Sequence, residues 1–153
     1  MRYDQFTEGY RTGLEPVLMA ASIPAKDGET VLEAGCGAGA ALLCLTARLP
    51  RVRGVGLEAD PETLALAERN IRANADPDGA TRIQVVHAHL PDIPKSLRAL
   101  TPTANRRFPH VMANPPWHRP HRPPSPVSRL PLALRPATTA PAAWAPPLIH
   151  SVL

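Results

Sequence analysis

Two groups of residues at the front of this sequence have types and spacing that could hold a nucleotide-like ligand. The first is Glu33-Ala34-Gly35-Cys36-Gly37-Ala38-Gly39. Glycines so placed let the backbone turn sharply and let a ligand approach the main chain closely. The amides opening a following helix favour an anionic group such as a carboxylate or phosphate. Gly35, Gly37 and Ala40 also satisfy the dinucleotide-binding pattern, and a plain packing turn stays open, so this run alone does not choose a ligand. The second is Glu58, about twenty residues past the glycines. A carboxylate there can accept both hydroxyl protons of a ribose, which fits an adenosine-containing ligand. By itself it also reads as a solvated acid at the end of a strand.

A third group, Asn114-Pro115-Pro116-Trp117, carries different chemistry. Paired prolines stiffen the backbone and cannot donate, so the carbonyls there serve as acceptors. The Asn114 side-chain oxygen and the Pro115 carbonyl can together bind the two protons of an –NH2 group. That orients the nitrogen lone pair toward an electrophile, which is positioning rather than acid–base catalysis. Trp117 offers a face on which a planar amide or an extruded base can stack. Hydride transfer has no use for an amine clamp, and this argues against a nicotinamide-dependent oxidoreductase.

The elements that must position these residues are legible in the pattern. Glu15 to Ala21 reads as a short helix with Pro16 in its first turn. Thr30 to Ala34 is a β-branched and apolar run ending at glycine, hence a strand. Ala40 to Leu49 is a helix with Leu42, Leu45 and Leu49 on one face. Val52 to Leu57 is a second strand, weakened by two glycines. Asp60-Pro61-Glu62 supplies an N-cap, an N1 proline and a first-turn acid to a helix that turns Leu64, Ala67 and Ile71 inward and fades near Asn74. Ile83 to Val86 is a third strand and His110 to Ala113 a fourth. Strands alternating with helices predict a parallel, doubly wound α/β sheet, whose ligand binds beyond the carboxyl ends of its strands. All three motifs fall at such ends.

Val31 to Ala40, Gly54 to Asp60 and Asn114-Pro115-Pro116-Trp117 together resemble the small-domain class I S-adenosylmethionine-dependent methyltransferases. The nearest resemblance is to the bacterial tRNA1(Val) adenine-N6 methyltransferase family, and it spans roughly residues 5 to 117. It implies a Rossmann-like sheet and S-adenosylmethionine as cofactor. It implies that Glu33, Gly35, Gly37, Gly39 and Glu58 hold that cofactor, and that Gly9 to Gly13, with Tyr10 and Arg11, cover it. It further implies that Asn114, Pro115 and Trp117 act on an exocyclic amine, adenine N6 in a tRNA. A non-catalytic remnant, or an enzyme for rRNA guanine N2 or a protein glutamine, are the alternatives. The family carries an acid after the third strand that reaches the cofactor's adenine; this sequence has His89 there, whose neutral imidazole can accept the same hydrogen bond, and Asp92 nearby.

Composition divides the chain in two. All thirteen acids lie in residues 1–92, against nine Lys/Arg, a net of −4; beyond them stand eight Lys/Arg and no acid, within an overall charge of +4. Eleven of the twenty prolines lie at or after Pro115. Strands exclude interior proline, so the expectation is a methyltransferase domain over residues 1–117, truncated after about the fourth strand, and a disordered Pro/Arg-rich tail over 118–153, either a frameshift product or a basic arm for nucleic acid. Arg106-Arg107 suits a phosphate contact or a solvated loop. Cys36 and Cys44 form no disulfide framework, and the N-terminus has no apolar signal segment, so a cytoplasmic protein is expected. No run of apolar residues is long enough for a membrane span. His87, His89, His118 and His121 lack the spacing and partners of a metal site, and no metal is expected.

Overall fold

The computed structural model describes residues 1–7, 11–90, 95–101 and 107–115. Its elements are α1 (Glu15–Ser22), β1 (Thr30–Ala34), α2 (Ala40–Arg48), β2 (Arg53–Glu58), α3 (Pro61–Arg72), β3 (Ile83–His87), a 3-10 helix (Lys95–Leu100) and β4 (His110–Ala113). The strands form one sheet in the order β3-β2-β1-β4, every pairing parallel. The predicted α/β architecture is therefore present, with β1 and β2 central and buried along nearly their whole length. Tyr10, Asp92, Arg106, Trp117 and the expected tail lie outside the described residues.

Each face of the sheet has its own core. Val31, Leu42, Leu45, Val52, Ile71, Ile83 and Met112 pack on the face covered by the helices. Leu32, Ala34, Val55, Leu57, Leu97 and Phe108 pack on the other. Alternation along β1 sends Val31 to one core and Leu32 to the next, as a pleated strand requires. The 3-10 helix was not legible in the sequence; it places Leu97 under the second core, where it is almost fully buried.

The two glycines that weaken β2 as a sequence pattern strengthen the packing. A Cβ built on Gly54 would stand 2.9 Å from Leu42 Cδ2, and one on Gly56 2.6 Å from Cys36 Sγ. Their absence lets α2 and the turn before it rest directly on the strand. Asp60 caps α3 as expected, its carboxylate accepting the Thr63 N–H at 2.8 Å. The buried face of α3 is Leu66, Ala67, Asn70 and Ile71. Leu64, expected inward, is only half-buried; Leu66 and Asn70 share the buried stripe with Ala67 and Ile71 instead. Arg48 in the last turn of α2 donates to the carbonyls of Ala20 at 2.7 Å and Ile23 at 2.6 Å, satisfying the open end of α1.

Candidate functional site

The candidate site is built where β1, β2 and β4 end. The register pairs Ala34 with Leu57 on one side and with Ala113 on the other. Gly35, Glu58 and Asn114 therefore leave adjacent strands at the same rim.

The glycine turn runs from β1 into α2. Gly35, Gly37 and Gly39 have φ of 73°, 55° and 87°, a left-handed region that residues with a Cβ enter at a cost. An added Cβ at Gly37 would meet nothing within 4 Å, so the turn borders open space on that side. Gly39 is the N-cap of α2 and supplies no side-chain cap. The first N–H groups of the helix have no partner within it, and the helix dipole adds positive charge there.

Glu58 is buried, and both of its oxygens are engaged. Oε2 accepts the Gly37 N–H at 2.9 Å, and Oε1 accepts the N–H groups of Ala59 and Asp60, each at 2.9 Å. A carboxylate offers about four acceptor positions. Three are taken by backbone, which leaves room for about one hydrogen bond from a ligand rather than the two expected from the sequence.

Glu33 lies one residue inside the turn, only 4% exposed. The Leu42 N–H bonds to its carboxylate, while Oε2 has no hydrogen-bond partner among the described residues. Burial, and then the nearby Glu58 charge, push its carboxyl well above the ordinary carboxylate range, with the Leu42 N–H opposing. A buried acceptor left without a partner is costly, and a cationic or N–H-bearing ligand group would relieve it. Cys36, in the middle of the turn, is also buried; burial, Glu33 and Glu58 push its thiol well above the usual value. It is a neutral packing group over Gly56 and no nucleophile.

His89 is exposed just past β3. Its ring meets His87 edge to face, centroids 5.5 Å apart. His87 Nε2 stands 2.9 Å from the Ala59 carbonyl, on the turn that follows Glu58. The pair thus borders the β2 end of the rim. Asn114 and Pro115 are half-buried beyond β4. Arg11 donates to the Thr7 carbonyl at 3.0 Å within its own segment. The structure thus brings Glu33, Gly35, Gly37, Gly39 and Glu58 into one unit, with Asn114, Pro115 and His89 on its border. Sequence reasoning missed Asn70, whose side chain donates to Ala38 in the turn at 3.0 Å. An Asn on the buried face of a helix is the signal that could have found it. Among the described residues no group of three His, Cys, Asp or Glu is placed to hold a metal ion, and no helix is long and apolar enough to cross a membrane.

Comparison with solved structures gives several likenesses. One is the precorrin-6y C5,15-methyltransferase from Geobacter metallireducens, 15% identical with a TM-score of 0.48, matching 58% of this chain and 45% of that one. A second is CalO1, a methyltransferase in calicheamicin biosynthesis in its SAH-bound form, 31% identical with a TM-score of 0.42, matching 52% of this chain and 22% of that one. A third is the N-terminal domain of EvdMO1 with SAH bound, 28% identical with a TM-score of 0.47, matching 63% and 36%. The chain spans less than half the length of each. No curated protein sequence matches it. The family model of the methyltransferase small domain matches residues 16–127. That match takes in the glycine turn, Glu58 and the Asn-Pro-Pro-Trp run, and the chain belongs to the methyltransferase small-domain family.

Proposed function

We propose that this chain carries the cofactor half of an S-adenosylmethionine-dependent methyltransferase that acts on an exocyclic amine, adenine N6 in a tRNA. The observation that carries the reading is the buried Glu33 carboxyl, whose Oε2 has no partner among the described residues, beneath a glycine turn that is open at Gly37. S-adenosylmethionine bears an ammonium group, a carboxylate, a ribose and an adenine. Glu33 suits the ammonium, and the N–H groups at the start of α2 suit the carboxylate. Glu58 has one acceptor position for a ribose hydroxyl, and His89 stands on the same border to accept from the adenine amine. Arg11 and Tyr10 would cover the cofactor from the N-terminal segment.

The sulfonium methyl of the bound cofactor supplies the electrophile. The chain's own contribution is to hold the acceptor nitrogen in line with it: the Asn114 side-chain oxygen and the Pro115 carbonyl accept the two amine protons, so the lone pair points at the reacting carbon, and Trp117 stacks on the base. No residue near the rim would need to act as a strong base: the nitrogen–methyl bond would form as the sulfur–methyl bond breaks, leaving S-adenosylhomocysteine as a neutral thioether, and the methylated amine would then lose its proton to water.

Calorimetry with S-adenosylhomocysteine tests the cofactor half. Binding at micromolar concentration, without competition from nicotinamide dinucleotides, is the expected result, and no binding would end the reading. Methyl transfer to unmodified tRNA, compared with an rRNA fragment and a glutamine peptide, identifies the acceptor.

A further inference from the structure

Asn70 is 1% exposed on α3, and the reading of the site gives it no ligand to touch. A buried amide is costly unless its polar atoms are matched, and here they are. Its Oδ1 accepts the Asp4 N–H at 2.9 Å. Its Nδ2 donates to the Asp4 carbonyl at 2.9 Å and to the Ala38 carbonyl at 3.0 Å. One side chain joins the N-terminal segment to the glycine turn.

One turn later Asn74 repeats half of this arrangement. Its Oδ1 accepts the Arg2 N–H at 2.8 Å, and its Nδ2 donates to the Arg2 carbonyl. The spacing has a geometric reason. Four residues of helix rise about 6 Å, and two residues of extended chain advance about 6.6 Å. Asn70 in α3 and Asn74 just past its C-cap therefore meet alternate residues of the segment. The segment in turn holds the chain that returns to it. Tyr3 Oη lies 2.7 Å from Thr12 Oγ1, and the Thr12 N–H donates to Gln5 Oε1 at 3.1 Å. Arg11 stands next to Thr12 in the sequence.

We propose that Asn70 is a positioning residue: it couples the N-terminal segment, and through Thr12 the place of Arg11, to the glycine turn through Ala38. Asn74 holds the same segment without reaching the turn, so it separates coupling from mere attachment. The inference rests on the reading of the turn as the cofactor site.

Amide hydrogen exchange on the full chain, with and without S-adenosylhomocysteine, tests it. In the unsubstituted protein the ligand should slow exchange at Asp4 and Gln5 about tenfold, together with Gly37 to Gly39. In Asn74→Ala, exchange near Arg2 should quicken while the ligand still slows Asp4 and Gln5. In Asn70→Ala, exchange at Asp4 and at Ala38–Gly39 should quicken together without ligand, ligand protection should stop at the turn, and affinity should fall about tenfold. Protection of the turn that leaves Asp4 and Gln5 unchanged in the unsubstituted protein would overturn the proposal, whether or not Asn70→Ala folds. So would an Asn70→Ala protein in which Asp4 quickens and Ala38–Gly39 does not. Absence of ligand binding to the unsubstituted protein would defeat the cofactor reading instead, and the ligand-free comparison of the two variants would still decide the coupling.

Discussion

The Gly37 N–H and the Glu58 carboxylate meet at 2.9 Å across 21 residues of sequence, joining the glycine turn to the end of β2. Glu58 is thereby both a candidate ligand contact and the part that holds the turn in shape. Replacement by Gln keeps the size but presents an N–H2 to backbone donors. We expect Glu58→Gln to lower stability by about 1–3 kcal/mol, the cost of leaving a buried donor unmatched. Affinity for S-adenosylhomocysteine should fall as well. Urea denaturation and calorimetry on the same samples measure both; a variant unchanged in both would remove Glu58 from the site and from the scaffold.

Glu33 makes stability depend on pH. Its folded-state carboxyl sits well above the ordinary 4.5 through burial and the Glu58 charge, so the folded state favours the protonated form. Stability from this group is fully present below the unfolded value near 4.5 and is lost as pH rises toward the folded one. Cys36 and Cys44 are raised as well, by burial first and by the Glu33 charge second. Glu33→Gln should therefore gain stability relative to the unsubstituted protein as pH rises above 4.5, and should bind S-adenosylhomocysteine more weakly because an amide cannot ionise to pair with the ligand's ammonium. Parallel denaturation curves at every pH would contradict the assignment.

Gly56 is required by Cys36. The Cβ of Gly56→Ala would stand 2.6 Å from Cys36 Sγ and 2.9 Å from Cys36 Cβ. Such overpacking costs about 1–3 kcal/mol, which should be visible as a lower melting temperature. Adding Cys36→Ala removes the sulfur and leaves the Cβ, so it should restore part of the loss. A double variant no better than Gly56→Ala would place the strain elsewhere.

The amine clamp separates chemistry from cofactor binding. Asn114→Ala should reduce methyl transfer by about a hundredfold through lost orientation of the acceptor. Its affinity for S-adenosylhomocysteine should stay within about twofold, since the proposed contact is to the acceptor alone. Equal losses of turnover and affinity would make the loop after β4 part of the cofactor site.

The residues themselves determined the alternation of strands and helices, because period-two and helical patterns, the Asp60-Pro61 start of α3 and the glycines after β1 are local signals. They also pointed to the rim, since every motif follows a strand. The glycines of β2 were misleading in isolation: their value lies in what Leu42 and Cys36 of another element do above them. Leu66 took the inward place expected of Leu64 because the rotation of α3 depends on what packs against it, which its own sequence does not contain. Asn70 could not be read from its neighbours in sequence, since its partners Asp4 and Ala38 stand 66 and 32 residues away. The state of the two carboxylates was likewise decided only by the fold. Residue type made Glu33 and Glu58 equal acids. Tertiary structure gave Glu58 three N–H donors and left Glu33 dry with an oxygen unpaired among the described residues, because desolvation and hydrogen bonding depend on what surrounds a group and not on what it is.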